Sequence, residues 1–471
     1  MATKLNIVDE SRSPTKTILL LAWPVLIEQV FSTLVGYADT AMVGSLGAAA
    51  TTSVSISMSV IMLLNGFVMS LGMGITTMVA RSAGAGDYEK ARAFMRHAIL
   101  VILYVGLPIA LVIIGLHRLI PQWLGAEPEV LELAAEYNII TGVGRIFGIS
   151  SMILNSAFRG YGDTKTPLRI NTTMNVVNVI FNFLLIYPTR TLTIFGASFT
   201  MWGAGWGVNG AAVATSIGMA VAGLQGLHVA FFRDNEFRID FKGPWKIDWV
   251  LMRQVFHISL PAMVQRVCMS ASGIIITKSV VTLGTVTLAA RTLCDSAESI
   301  AVMPAFAFQT ATTTLVGQSL GAGKPHLAEK YVKRTAIIAA IVMVFGTIGL
   351  YFGARAIISI FTPDEAVIAL SVECMHIIAF MQVPQAVGWV LTGALQGAGD
   401  TRIIFGITLF TNWGIRCLGS VMAIRVFGLG LPAMQCVILC QGIAQMILFY
   451  LRYHSGKWKT VLKDTGAPTK A

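Results

Sequence analysis

Twelve windows of about 20 predominantly apolar residues, the length that crosses a hydrocarbon core, punctuate this chain. They fall near residues 17–43, 54–80, 94–116, 130–158, 167–187, 208–232, 250–280, 287–316, 335–354, 366–395, 403–424 and 430–451. In hydrocarbon a segment must satisfy its own backbone N–H and C=O groups, so runs of this length are expected as helices. Composition agrees. Of 471 residues, 55% are hydrophobic and only 12% charged, too apolar for a water-soluble chain of this size. The expected fold class is all-α and integral to a membrane, with twelve transmembrane helices. The opening segment, Met1 to Lys16, is polar and lacks an apolar stretch ending in a small-residue cleavage site, so no removable signal peptide is expected.

A net charge of +11 raises the question of nucleic acid, and the placement of the bases answers it. With the N-terminus inside, inward segments carry Arg81, Lys90, Arg92 and Arg96, and later Arg233, Arg238, Lys242, Lys246 and Arg253. The outward loops hold only Arg118, Arg190, Arg355 and Arg425. This is the positive-inside bias; it predicts both termini in the cytoplasm and gives no reason to invoke nucleic acid. The six cysteines lie inside predicted helices and read as small apolar fillers rather than a metal site.

The chain repeats itself. Pro24 aligns with Pro261, and at the same shift of 237 Gly36 meets Gly273 and Leu46-Gly47 meets Leu283-Gly284. TTMVARSAGAG from Thr76 meets TTLVGQSLGAG from Thr313, and RGYGDTK from Arg159 meets QGAGDTR from Gln396. Beyond residue 187 the shift becomes 221, so the first half carries an extra outer segment around Thr189 to Ala204, flanked by Trp202 and Trp206 as interfacial anchors. Six helices per copy is an even number, so the copies are parallel repeats about an axis along the membrane normal, with a ligand cleft expected between them. The expected organisation is a cytoplasmic segment 1–16, an N-lobe bundle 17–232, a linker 233–249, a C-lobe bundle 250–452 and a cytoplasmic tail 453–471. The GAG and GDT turns read as left-handed helix caps, with Asp163 and Asp400 capping the helices that follow. No GxxxxGK[ST] loop or HExxH occurs, so neither ATP hydrolysis nor a familiar zinc hydrolase is indicated.

Within the first apolar run, Leu21 to Gly47, this reading singles out one buried carboxylate, Asp39, with Pro24 as a bend ahead of it on the same helix. An ionisable group at such a depth costs about 2.5–3.5 kcal/mol or more and is functional by default. Asn175, Asn178 and Asn182 share one face of the fifth helix at i, i+3 and i+7.

The combination of PVLIEQVFSTLVGYADTAMVG in the first helix, SAGAGDYEKA after the second and RGYGDT after the fourth resembles the multidrug and toxic compound extrusion (MATE) family of cation-coupled antiporters, over essentially the whole chain. Within that family the chain looks closest to the DinF-like prokaryotic branch. The resemblance implies a coupling cluster in the N-lobe made of Asp39, Asn155, Asn178, Asn182 and Thr215. If the ion were Na⁺, Asp39 and Asn178 would be ligands. Across the repeat these positions face Ile276, Thr392, Ile415, Gly419 and Cys436, so only one half carries the cluster. One departure stands out: the family's archaeal-type pattern often has aspartate where this chain has Asn182, which leaves one carboxylate in the cluster instead of two.

In the eighth helix Arg291, Asp295 and Glu298 stand at i, i+4 and i+7, near Arg266, Lys278 and Arg416 on other helices. They read either as a neutralised structural network or as a second coupling or substrate site. The resemblance implies a secondary active exporter of lipophilic, often cationic, organic compounds in exchange for H⁺ or Na⁺. No cofactor is expected, membrane lipid is the surrounding partner, and a monomer in a prokaryotic inner membrane is the expected working unit. Carboxylate with amide and hydroxyl oxygens suits Na⁺, and a lone desolvated carboxylate suits H⁺ equally well. Two alternatives remain: a flippase for a lipid or lipid-linked saccharide, which a basic lumen would favour, and an intramembrane headgroup transferase, for which the scattered histidines offer no constellation.

Overall fold

The computed structural model describes residues 7–194, 197–234, 236, 238–240 and 245–462. Helix α1 spans Pro14–Gly44, α2 Ala48–Gly84, α3 Tyr88–Gly115, α4 Pro128–Tyr161, α5 Lys165–Leu185 and α6 Gly207–Phe232. The second set is α7 Trp249–Val281, α8 (Thr285–Ala301 and Met303–Gly321, bent by 44°), α9 Pro325–Ser359, α10 Glu365–Ala398, α11 Thr401–Val426 and α12 Leu431–His454. Ten of these are apolar and long enough to cross a membrane, eleven with the bent α8. The twelfth, α5, has 21 residues, about 31 Å of helix, and owes its polarity to Arg169 and four asparagines. The chain is a multi-pass membrane protein.

The repeat is visible in the element boundaries. Helix α2 begins at Ala48 and ends at Gly84, and α8 begins and ends at the positions matching them across the repeat, Thr285 and Gly321. Gly162 and Gly399, matched in the same way, end α4 and α10 at φ of 96° and 82°, a left-handed cap that glycine adopts without a Cβ penalty. Asp163 behaves as expected, accepting the Thr166 N–H at 3.0 Å. Asp400 does not: it makes no cap hydrogen bond, and its carboxylate instead takes Arg452 Nε at 2.7 Å. Arg452 sits on α12 over the end of α10, where its guanidinium makes a charge-assisted bond to this carboxylate.

The extra outer segment is an antiparallel hairpin, β1 Pro188–Ile194 with β2 Ala197–Ala204, carrying an exposed Trp202 with Trp206 just beyond it. Helix α11 departs from the α form over Phe410–Cys417 and Met422–Val426, where the turns widen to the π form. Such turns concentrate at functional sites.

Each lobe lends its first helix to the other. Ile18, Leu21 and Ala22 of α1 are buried in the core of the C-lobe, while Val255 and Ile258 of α7, the repeat counterparts of Ile18 and Leu21, are buried in the core of the N-lobe. Pro24 follows directly after the part of α1 held by the other lobe. The helix runs unbroken past it from Pro14 to Gly44, so any bend there is a curvature within one continuous helix. The termini extend the exchange: Ile7 packs in the C-lobe core and Leu462 in the N-lobe core. The packing thus crosses the expected lobe boundaries.

The lobes meet along α2 and α8. A Cβ on Gly84 would stand 2.0 Å from the carbonyl oxygen of Gln318, and one on Gly321 would stand 2.1 Å from that of Arg81. Only glycine permits these helices to approach so closely. Arg81 Nη1 donates to Ala398 O at 3.4 Å and Gln318 Nε2 to Gly160 O at 3.0 Å. Among the described residues, the hydrogen bonds that join the lobes cluster at the end of the bundle where the termini lie.

Candidate functional site

Asp39 sits far along α1, in its last turns, and faces α5. Asn182 Nδ2 donates to Asp39 Oδ1 at 2.6 Å. A carboxylate only accepts, so Asn178 is oriented with its amide nitrogen toward Asp39, 2.9 and 3.1 Å from the two oxygens, leaving its own oxygen to accept the Thr215 hydroxyl of α6 at 3.2 Å. Four of the five expected residues, Asp39, Asn178, Asn182 and Thr215, therefore form one cluster. Among the described residues no cationic side chain is paired with Asp39; two amides solvate it. Both amides turn N–H groups to the acid in this arrangement, and only Asn182 Oδ1 is buried without a partner. A Na⁺ bound by Asp39 and Asn178 would need that amide turned over.

Asn155, the fifth expected residue, stands apart from this cluster. Its Nδ2 donates to Ser151 Oγ at 3.2 Å and to Asn171 Oδ1 at 3.3 Å, which places it with a different acid. Glu28, on the same helix as Asp39, is 6% exposed, ion-paired with Arg159 of α4, and accepts Asn171 Nδ2 at 2.6 Å on the same oxygen. Of the two acids of α1, Glu28 is thus the buried one, and Asp39 is half-buried. Position along the helices separates them. Asn155 lies within two turns of the end of α4, at the terminus end of the bundle, whereas α1 starts at that end and reaches Asp39 only in its last turns.

Between the two clusters α1 and α5 form a ladder of separate rungs. Glu28 pairs with Asn171, Ser32 with Asn175 at 3.4 Å and Asp39 with Asn182, each pair 143 residues apart in sequence. Helices α1 and α5 run parallel, so a constant offset keeps the rungs in register. The step from Glu28 to Asp39 makes about three turns, so the two acids share one face of α1 about 16 Å apart.

A cavity of about 580 Å³ opens between the lobes. Its wall carries Glu28, Asn155, Arg159 and Asn171 from the N-lobe and, as their repeat counterparts in the same order, Gln265, Thr392, Gln396 and Thr408 from the C-lobe. At these four positions the N-lobe side carries an ion pair and the C-lobe side is neutral. Methionines 69, 73, 152, 269, 381 and 446 line it with Phe306, Trp389 and Phe449, an apolar and adaptable surface.

The eighth-helix trio divides. Arg291 Nε pairs with Asp295 Oδ2 at 3.5 Å, and neither lines the cavity. Glu298 does line it, together with Arg266 and Arg416, and accepts Gln385 Nε2 at 3.4 Å. The six cysteines are free thiols. Among the described residues no group of three or more His, Cys, Asp or Glu side chains could hold a metal ion. Gly317 to Gly321 spells GxSxG, but it lies inside α8 with Ser319 fully buried. The strand-to-helix elbow that exposes a nucleophile is missing there.

The family model MatE matches the chain twice, over residues 24–184 and 261–422, and the two matches start at the repeat-related prolines, Pro24 and Pro261. Among curated relatives, a probable multidrug resistance protein NorM of Thermotoga maritima is 27% identical over 446 residues, 94% of this chain and 93% of that protein. A multidrug export protein MepA of Staphylococcus haemolyticus is 23% identical over 397 residues, 83% of each. Among solved structures, an outward-facing conformation of a multidrug resistance MATE family transporter superposes with a TM-score of 0.87 at 21% identity, covering 98% of this chain and 99% of that one. The shared fold is two lobes of six helices. Because the family model covers most of both halves of the repeat, the chain belongs to the MATE family of transporters.

Proposed function

We propose that this chain is a secondary active multidrug exporter that expels lipophilic, often cationic, organic compounds in exchange for H⁺ or Na⁺ by alternating access. The observation that carries the reading is the cavity between two symmetric lobes, held together at the terminus end and lined with methionine and aromatic side chains. The names of the NorM and MepA relatives support the substrate class. The Asp39 cluster supports coupling in the N-lobe, because differential ion affinity between two states is what makes an ion drive a conformational change. The positive-inside distribution supports both termini inside, and the bacterial relatives support a prokaryotic cytoplasmic membrane; the terminus-end seal then closes the cytoplasmic side. The working unit in this reading is the monomer, since each chain contains a complete cavity, and no cofactor takes part.

Uptake of ethidium into proteoliposomes under an imposed pH or Na⁺ gradient tests this. Uptake driven by one gradient and lost in Asp39→Asn is the expected result and names the ion. Movement that ignores both gradients would refute antiport.

A further inference from the structure

Glu28 has no role in the coupling cluster, yet it is the more deeply buried acid of α1. Its Oε1 takes both Arg159 and Asn171, while Oε2 is buried with no partner. Arg159 Nε and Asn155 Oδ1 beside it are likewise buried and unpartnered. The group is half-satisfied, and a half-satisfied buried charge is costly.

The opposite wall shows that packing does not require the charges. Gln265 replaces Glu28 and Gln396 replaces Arg159 at the symmetric positions of the same cavity. A buried ion pair is often no more stable than neutral side chains of similar volume. What the N-lobe wall has, and the C-lobe wall lacks, is a ladder leading from its acid to a second acid: Glu28–Asn171, Ser32–Asn175 and Asp39–Asn182. At the C-lobe positions matching Ser32 and Asp39 stand Met269 and Ile276.

We propose that Glu28 is a second coupling carboxylate: the cavity end of a two-acid unit joined to Asp39 through the α1–α5 ladder, whose ion pair with Arg159 opens when an organic cation enters the cavity. The inference rests on the antiport reading and adds to it the station at which ligand and ion compete. A cation in the cavity replaces the Arg159 guanidinium at Glu28, and ions returning to both acids release it. The charged groups facing Glu28 are Arg159 and, across the cavity, Arg266, Glu298 and Arg416. Asp39 is faced by Asn178, Asn182 and Thr215, with Tyr137 of α4 the nearby titratable group.

The test is the linkage between ion and ligand in purified protein: ethidium affinity read by fluorescence against pH at fixed Na⁺, and against Na⁺ at fixed pH. For the coupling ion, the slope of log Kd against log ion activity counts the ions exchanged per ligand. The expected slope is about two in the wild type and about one in Asp39→Asn. It is also about one in the double variant Glu28→Gln/Arg159→Gln, which copies the neutral pair that already packs on the C-lobe wall. A second variant, Ser32→Ala/Asn175→Thr, keeps both acids and removes the middle rung; its slope should fall to about one because the state of Asp39 no longer reaches the cavity. Loss of the whole slope in Asp39→Asn, with the wild-type slope retained in Glu28→Gln/Arg159→Gln, would overturn the proposal and leave antiport standing. A wild type that binds ethidium with no slope for either ion, and shows no gradient-driven uptake, would overturn the antiport reading itself.

Discussion

Thr77 and Thr314, counterparts across the repeat, each give a hydroxyl to the opposite lobe: Thr77 Oγ1 donates to Gln396 O at 3.1 Å, and Thr314 Oγ1 donates to Arg159 O at 2.9 Å. The two acceptors are themselves a symmetric pair, so one contact is written twice about the axis between the lobes. Between them α2 and α8 cross where Gly84 and Gly321 leave room for backbone alone. The seal is made of hydroxyls, carbonyls, the Gln318 amide, the buried Arg81 guanidinium and two glycines, and among the described residues no ion pair ties it shut.

That seal is open to a steric test. Gly321→Val would press a side chain on Arg81 O, an overpacking cost of about 1–3 kcal/mol, felt only while the lobes are in contact. Transport should fall about tenfold or more, and a cysteine at Thr314 should become reactive toward a thiol reagent applied from the terminus side. Unchanged reactivity would show that the lobes do not part along this line.

Asn182→Leu deprives Asp39 of its shortest hydrogen bond, and leaving a buried acceptor short of a donor costs about 1–3 kcal/mol. The expected result is an ion-dependence curve for ethidium transport displaced by about tenfold or more, with the maximal rate of Thr215→Val closer to wild type. Equal effects from both substitutions would mean that Asn182 serves only to hold α5 in place.

The counterpart acids Asp163 and Asp400 each hold an arginine, but the two pairs differ in burial. Asp400 is 4% exposed in its pair with Arg452, and Asp163 is 15% exposed in its pair with Arg233. Breaking a buried pair from one side costs about 3–5 kcal/mol, and the more exposed pair should cost less. Thermal unfolding in detergent should show Arg452→Met lowering Tm more than Arg233→Met.

The N-terminal segment is held to α9 by Tyr331 OH on Ile7 O at 2.7 Å and by Lys324 on Glu10 at 2.9 Å. The Lys324 hydrogen bond and charge hold the Glu10 carboxyl below its ordinary range, and the Ser11 hydrogen bonds do the same for Asp9. A depressed carboxylate contributes above its unfolded pKa, and the contribution disappears as pH falls through the folded one. A spin label at Ser13 should therefore keep constant mobility while the pH stays above the ordinary carboxylate range and become more mobile only below it. Glu10→Gln should show the mobile spectrum at every pH.

The helices, the duplication and most of the Asp39 cluster are legible in the sequence, because apolar length, an unchanging register and asparagines on one helical face are all local signals. Glu28 is not, because its partners, Arg159 and Asn171, lie 131 and 143 residues away and nothing near it in sequence marks it as paired. The repeat does hold a usable sign: Glu28 and Arg159 are an opposite pair whose counterparts, Gln265 and Gln396, have both lost their charge. Family pattern groups Asn155 with Asp39, although counting turns from the ends of α4 and α1 places the two at different depths. The hairpin after α5 is legible only as an insertion, since no repeat counterpart exists to compare it with.

The exchange of first helices also bears on how the chain is made. When α1 to α6 have left the ribosome, Ile18, Leu21 and Ala22 have no core to enter, because α8, α9 and α10 do not yet exist. The N-lobe in turn waits for Val255 and Ile258 to complete its own interior. Neither copy of the ancestral repeat is therefore a finished module. Each half closes its interior only with side chains that the other half supplies.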